Sequence, residues 1–162
     1  MTRSLSDPTT LVGDWILARS IDDRLTGQQS RIDGTLSLGV VSPDRIRWEE
    51  QGRWHQAHED PGKDIDVRRG LWVVRDETTG AWWVRFDDDR DFHPWTPGET
   101  VVHPCGADTY RGLVRGTTDR WTIEWEVTGP AKDYSMTTEL SACAARPLRA
   151  RSPEGSQQRE GS

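Results

Sequence analysis

Cysteine, phenylalanine and tyrosine are scarce in this chain of 162 residues, which holds two of each. Two cysteines, Cys105 and Cys143, are too few to hold a domain of this size together by disulfides. No apolar run approaches the roughly 20 residues that cross a bilayer, and the first ten residues lack the apolar stretch of a signal peptide. We therefore predict a cytoplasmic protein with no membrane partner.

Positive charge is also in deficit, because 21 Lys and Arg against 27 Asp and Glu give a net charge of -6 at pH 7. Nucleic acids and anionic membranes attract clustered positive charge, so this balance argues against both as partners. The sequence has no Gly-x-Ser-x-Gly elbow, phosphate loop or dinucleotide fingerprint. Tryptophan is abundant instead, and nine indoles must provide most of the aromatic burial.

Polar and apolar residues alternate with a period of two along most of the chain, which is typical of strands with one buried face. The clearest case is the run from Trp121 to Val127. No segment shows a sustained helical stripe. The pattern predicts an all-β fold, a single antiparallel barrel of about eight to nine strands over residues 11–145, because closure removes exposed strand edges.

Both ends of the chain are polar. We predict a flexible N-terminus over residues 1–10 and a disordered tail over residues 146–162, which is rich in Arg, Ser, Gly and Pro. Within the barrel, the pair Gln51-Gly52 predicts a hairpin turn between two short strands.

Four stretches carry a family resemblance: "LVGDWILARSIDD", "FH", "HPCGADTYRG" and "WTIEWEVTGPAKDY". The "GDW" of the first resembles the Gly-x-Trp start of lipocalins and other calycins. In this order, the four stretches resemble a family of small proteins of unknown function with lipocalin-like barrels. The resemblance implies the fold and carries no activity. It also implies that Arg19 stacks on Trp15 by a cation–π contact, the calycin arrangement.

The barrel would bring "HPCGADTY" next to "GPAKDY". Polar side chains would then converge at one mouth: His103, Asp108, Tyr110, Lys132, Asp133 and Tyr134. Imidazole titrates near neutral pH, and a carboxylate can orient it. In an enzyme, His103 would move a proton, Asp108 would orient it, and Tyr110 or Tyr134 would donate to a developing oxyanion. His93 is a further catalytic candidate.

The leading hypothesis is a barrel that binds a small, partly apolar organic ligand, with acid/base isomerisation, cyclisation or hydrolysis as its enzymatic version and no cofactor. The residues expected to contact the ligand are Trp48, Trp121, Trp125, Lys132, Asp133 and Arg19.

Four alternatives stay open. Haem could bind with His93 or His103 as its axial ligand. A zinc or iron ion could bind through a cluster of possible donors: His93, His103, Cys105 and Asp108. Cys105 could act as a nucleophile activated by a histidine. The fourth is a protein-interaction module or homodimer, in which an outward indole of the Trp82-Trp83 pair forms the contact.

Overall fold

The computed structural model describes residues 3–56 and 63–143, which contain ten antiparallel strands and one short 3₁₀ helix at Pro8–Leu11. The strands are β1 (Gly13–Asp23), β2 (Gln28–Ser42), β3 (Arg45–Gln56), β4 (Ile65–Arg75), β5 (Trp82–Phe86), β6 (Asp91–Pro94), β7 (Val101–Cys105), β8 (Asp108–Gly116), β9 (Arg120–Gly129) and β10 (Lys132–Ala142). The predicted disordered tail lies outside the described residues. In the described part, no helix is long and apolar enough to span a membrane.

All ten strands belong to one sheet in the order β6-β5-β4-β3-β2-β1-β10-β9-β8-β7. The first and last strands in this order, β6 and β7, lie beside each other, so the sheet curls into a nearly closed barrel. The predicted antiparallel barrel is confirmed, but the strand count of eight to nine is wrong. At four and five residues, β6 and β7 are too short to show clear alternation.

The predicted hairpin at Gln51-Gly52 is also wrong, because β3 runs through this pair without a break. Gly52 lies opposite Gly34 of β2 in the ladder. A Cβ atom on Gly34 would overlap the backbone carbonyl of Gln51. Glycine at this position therefore allows two backbones to approach closely and does not form a turn.

One end of the barrel is filled by indole rings. Trp121 is fully buried at its centre. Trp15, Trp48 and Trp95 each meet it edge to face, with ring centres 5.7, 5.8 and 6.0 Å away. This geometry suits the aromatic quadrupole and leaves little free space. We call this half of the barrel the closed half.

The segment before β1 covers the closed half. Its Leu5 and Leu11 side chains are buried, and their carbonyl oxygens accept hydrogen bonds of 2.8 Å from the indole N–H groups of Trp95 and Trp15. This segment falls largely within the stretch for which the sequence predicts flexibility. In the structure it satisfies two buried indole donors.

The opposite end, the open half, is less completely walled. The ladder between β4 and β5 ends at the pair Leu71 and Phe86, so residues 65–70 of β4 continue past it. Inward side chains in this half are only partly buried, including Ile32, Tyr110 and Met136. The barrel therefore has a packed half and a half with access from solvent.

Candidate functional site

A buried ion pair lies where the two halves of the barrel meet. Arg19 of β1 and Glu50 of β3 both face the interior and are 8% and 7% exposed. Nη2 of Arg19 donates to both carboxylate oxygens at 3.0 Å, and its Nε donates to Oγ1 of Thr138 at 2.8 Å. The expected stacking of Arg19 on Trp15 is not found among the described contacts, because the guanidinium is held by this network instead.

Glu50 takes a third donor from the closed half. Nε1 of Trp48 donates to its Oε1 at 3.0 Å. An ionised carboxylate accepts about four hydrogen bonds, so these three use most of the capacity of Glu50 to accept further donors. Trp48, expected to contact a ligand, therefore has its polar edge occupied by Glu50 and its ring packed against Trp121.

A second interior arginine lies directly opposite Glu50. Arg69 of β4 is its cross-strand partner in the ladder. No described residue forms a hydrogen bond or ion pair with the Arg69 side chain, and its guanidinium carbon lies 5.7 Å from the ring centre of Phe92. Burial lowers the pKa of Arg69, against the opposing effect of the Glu50 charge. We call Arg19, Glu50 and Arg69 the charged cluster.

Four side chains of β8 and β10 meet at the rim of the open half. Nζ of Lys132 lies 3.1 Å from the Tyr110 hydroxyl, to which it donates, and 3.1 Å from Oδ2 of Asp108. The hydrogen bond to Tyr110 and then that to Asp108 raise the pKa of Lys132. Burial, together with the neighbouring Tyr110, raises the pKa of Tyr134, whereas the Lys132 charge lowers it.

His103 lies opposite Tyr110 across the β7–β8 ladder, with the two ring centres 6.1 Å apart. These two residues, with Asp108, Lys132 and Tyr134, form what we call the rim cluster. The structure thus brings together five of the six side chains that were expected to converge.

Two details differ from the expectation. Asp133 lies on the outer face, where its carboxylate binds Arg24 at 2.8 Å. It is not part of the rim because neighbouring residues of a strand point to opposite faces. Asp108 pairs with Lys132, and no hydrogen bond joins it to His103 within the described residues.

His93 and Phe92 are both buried although they are adjacent. The β5–β6 ladder pairs Val84 with His93 and Arg85 with Asp91, so Phe92 is the extra residue of a β-bulge. A bulge breaks the alternation and allows two successive side chains to face inward. This explains why the "FH" stretch could not be read as a regular strand.

The imidazole of His93 is held in one tautomer. Its Nδ1 lies 2.8 Å from the carbonyl oxygen of Pro94, which can only accept, so Nδ1 carries the hydrogen. Burial lowers the pKa of His93 to about 4, and the charges of Arg69 and His103 act in the same direction. His93 is therefore neutral at pH 7 and a weak base, less suited to catalysis than its isolated side chain would be.

A pocket of about 240 Å³ lies inside the open half, between β1 and β4. Leu17, Ile32 and Val67 form its apolar wall, and the three residues of the charged cluster also line it. A smaller cavity of about 20 Å³ continues from the charged cluster to Trp125, which is room for about one water.

The predicted tryptophan-lined cavity is thus much reduced. Trp48 and Trp125 border only the small inner cavity, and Trp121 packs in the closed half. A larger groove of about 710 Å³ exists on the other side of the wall, where outward residues of β1 and β2 such as Asp22 and Arg31 line it. It is open to solvent and lies away from the charged cluster.

The residues described contain no group of three His, Cys, Asp or Glu side chains placed to hold a metal ion. Both cysteines, Cys105 and Cys143, are exposed free thiols. Trp83 faces outward and Trp82 packs on the core, as the alternation required.

Residues 11–142 match the family model described as "Family of unknown function (DUF6314)". The chain belongs to this family. A comparison with curated proteins finds no match for this DUF6314 chain. The resemblance to a family of lipocalin-like barrels of unknown function is confirmed.

One solved structure supports the fold. The S-type phycobiliprotein lyase CPES from Guillardia theta aligns with a TM-score of 0.56 at 8% identity, covering 85% of this chain and 91% of the lyase. A redesigned β-barrel, mFAP0, bound to DFHBI, also matches with a TM-score of 0.44 at 14% identity, covering 82% of this chain and 98% of that barrel. EF1p2_mFAP2b bound to DFHBI matches with a TM-score of 0.47 at 12% identity, covering 87% of this chain and 100% of the other. At these identities the likeness concerns the fold alone.

Sequence reasoning missed Glu50 and Arg69 as site residues. A signal for Glu50 was present, since it shares the alternating face of Ile46 and Trp48. A carboxylate on an apolar strand face implies an interior partner. Arg69 gave no such signal, because Arg68 and Arg69 are adjacent and a shift of one residue would exchange their faces.

Proposed function

We propose that this DUF6314 protein binds a small organic ligand inside the open half of its barrel. The observation that supports this most directly is the 240 Å³ pocket, whose lining combines an apolar wall with the charged cluster. Small-molecule sites combine these two features, an apolar enclosure and a few convergent polar groups. The volume is slightly below the roughly 300 Å³ at which such sites usually begin, so the ligand is small.

The packing of the barrel supports this location. The closed half is filled by the indoles around Trp121, whereas residues 65–70 of β4 extend past the end of the β4–β5 ladder. Val67 and Arg69, both on this part of β4, line the pocket. The rim cluster, on β7, β8 and β10, belongs to the same open half.

Filling the pocket tests the proposal. Val67→Phe places a ring in the pocket, whereas Val102→Phe adds the same ring at an exposed outer position and serves as the control. A panel of small aromatic and aliphatic acids, amides and alcohols is screened by thermal unfolding. A ligand at 100 times its Kd stabilises the folded state by about 2.7 kcal/mol. We expect this gain to persist in Val102→Phe and to vanish in Val67→Phe; an equal gain in both variants would exclude the pocket.

A second proposal is proton transfer at the rim cluster. It is supported by the convergence of His103, Tyr110, Lys132 and Tyr134. The Lys132 ammonium donates to the Tyr110 oxygen and fixes that phenol in place, which leaves His103 as the proton carrier and Tyr134 as a donor to an oxyanion.

Ligands found in the screen would be incubated with the protein and followed by mass spectrometry for isomerised, cyclised or hydrolysed products. We expect His103→Gln and Tyr134→Phe to lose turnover and to keep ligand binding. Turnover at the wild-type rate in both variants would refute the catalytic roles and leave the binding function intact.

A further inference from the structure

The charged cluster is not neutral. Arg19 and Arg69 bring two positive charges to the barrel interior and Glu50 brings one negative charge. Arginine stays protonated even when its surroundings disfavour the charge, so it does not escape burial by losing a proton. Within the described residues, the interior of the barrel therefore holds one uncompensated positive charge.

Glu50 cannot neutralise both arginines. Its two oxygens accept two bonds from Arg19 and one from Trp48, all at 3.0 Å. These bonds fix the carboxylate toward β1 and the closed half, although Arg69 is its direct neighbour on β4. Arg69 lies within the electrostatic range of Glu50 but makes no hydrogen bond with it.

The surroundings of Arg69 define what it can bind. Its five N–H donors form a planar fork that matches the two oxygens of a carboxylate. The apolar wall of the pocket starts next to it, at Val67 and Leu17. The rim tyrosines, Tyr110 and Tyr134, are neighbours of Arg69.

From this geometry we infer that the ligand is a small organic monocarboxylic acid, whose carboxylate pairs with Arg69 while its apolar body lies against Leu17, Ile32 and Val67. This inference rests on the proposed function and specifies its ligand class. A single negative charge balances the cluster, whereas a dianion such as a phosphate monoester would leave an excess negative charge near Glu50.

A matched pair of probes separates the effect of ligand charge on affinity from the effect of ligand shape. 2-Naphthoate and 2-naphthamide have nearly the same size, but only the first is anionic at pH 7. Affinities are measured by isothermal titration calorimetry on the full chain, and 2-naphthyl phosphate serves as the dianionic probe. We expect naphthoate to bind at least tenfold more tightly than naphthamide, about 1.4 kcal/mol, and more tightly than the phosphate.

Variants assign the preference to one side chain. Arg69→Gln is expected to bring the affinity for naphthoate down to that for naphthamide, whereas Arg69→Lys, which keeps the charge but not the fork, retains part of the difference. Arg111→Gln removes an exposed outward arginine of β8 and should change neither affinity. Circular dichroism checks that each variant is folded. If Arg69→Gln does not fold, the ratio of the wild-type affinities for naphthoate and naphthamide still tests the preference for an acid.

The outcomes are distinguishable. If naphthoate and naphthamide bind equally well, the preference for an acid is refuted and the binding function stands. If the phosphate binds most tightly, the assignment to a monocarboxylate is refuted. If none of the three probes binds, the proposed function itself fails, and the inference fails with it. A preference for naphthoate that persists in Arg69→Gln would show that another cation holds the acid.

Discussion

Replacing Glu50 by Gln isolates the energetic role of the charged cluster. The substitution keeps the shape of the side chain but removes the charge that faces Arg19 and Arg69. The buried Arg19 and the partly buried Arg69 then lie without a counter-charge among the described residues. Breaking a buried ion pair from one side typically costs about 3–5 kcal/mol.

This loss of unfolding free energy corresponds to a fall in melting temperature whose size depends on the length of the chain. At roughly 2–4 °C per kcal/mol for a domain of this size, we expect the Tm of Glu50→Gln to fall by about 6–20 °C. The matched control is Glu49→Gln on the outer face of the same strand. Its side chain is 65% exposed and, among the described residues, pairs only with Arg47, so the loss of its charge should change the stability by less than about 1 kcal/mol.

Thermal unfolding and urea titration at pH 7 measure both variants. A second substitution sharpens the test, because Arg69→Met in the Glu50→Gln background removes one of the two unpaired charges and should recover part of the lost stability. Equal Tm values for Glu50→Gln and Glu49→Gln would refute the account of the cluster. So would a double variant that is less stable than Glu50→Gln alone.

Two further predictions concern stability. His93 binds a proton with its ordinary pKa near 6.5 in the unfolded chain but with a pKa of about 4 in the folded one. The stabilisation that comes from neutral, buried His93 is therefore complete above pH 6.5 and is lost as the pH falls to 4. The unfolding free energy of the wild type should fall over this range by roughly 3 kcal/mol more than that of His93→Gln. Unfolding free energies from urea titrations that change with pH in parallel for the two proteins would contradict this. Gly112→Ala places a Cβ atom 2.6 Å from the Trp125 ring and should cost about 1–3 kcal/mol. Gly39→Ala, which meets nothing within 4 Å, is the control and should lie within about 0.5 kcal/mol of the wild type in the same urea titrations.

Alternation along the chain was enough to predict an antiparallel barrel, because the long strands each have one buried face. Strand β9 shows this best, with Trp121, Ile123, Trp125 and Val127 all buried. The same rule fails where alternation is broken. The bulge at Phe92 turns two adjacent residues inward, and the close approach at Gly52 looks like a turn in the sequence.

The rim cluster was predictable from two motifs because tight hairpins hold them at one end of the barrel. Cys105 pairs with Asp108, and Gly129 pairs with Lys132, so both hairpin turns lie at the same rim of the barrel. The charged cluster was not predictable in this way. It joins β1, β3 and β4, and its formation depends on the register of Arg69, which the flanking residues do not define.

The central claim is that the open half of the barrel is a ligand site. A crystal structure of the protein with 6-bromo-2-naphthoate, with the bromine located by its anomalous signal, tests this most directly. We predict a bromine peak between β1 and β4, near Val67, with the carboxylate at Arg69. A peak in the groove on the outer face beside Asp22 and Arg31, or an unoccupied interior at saturating probe, would contradict the account.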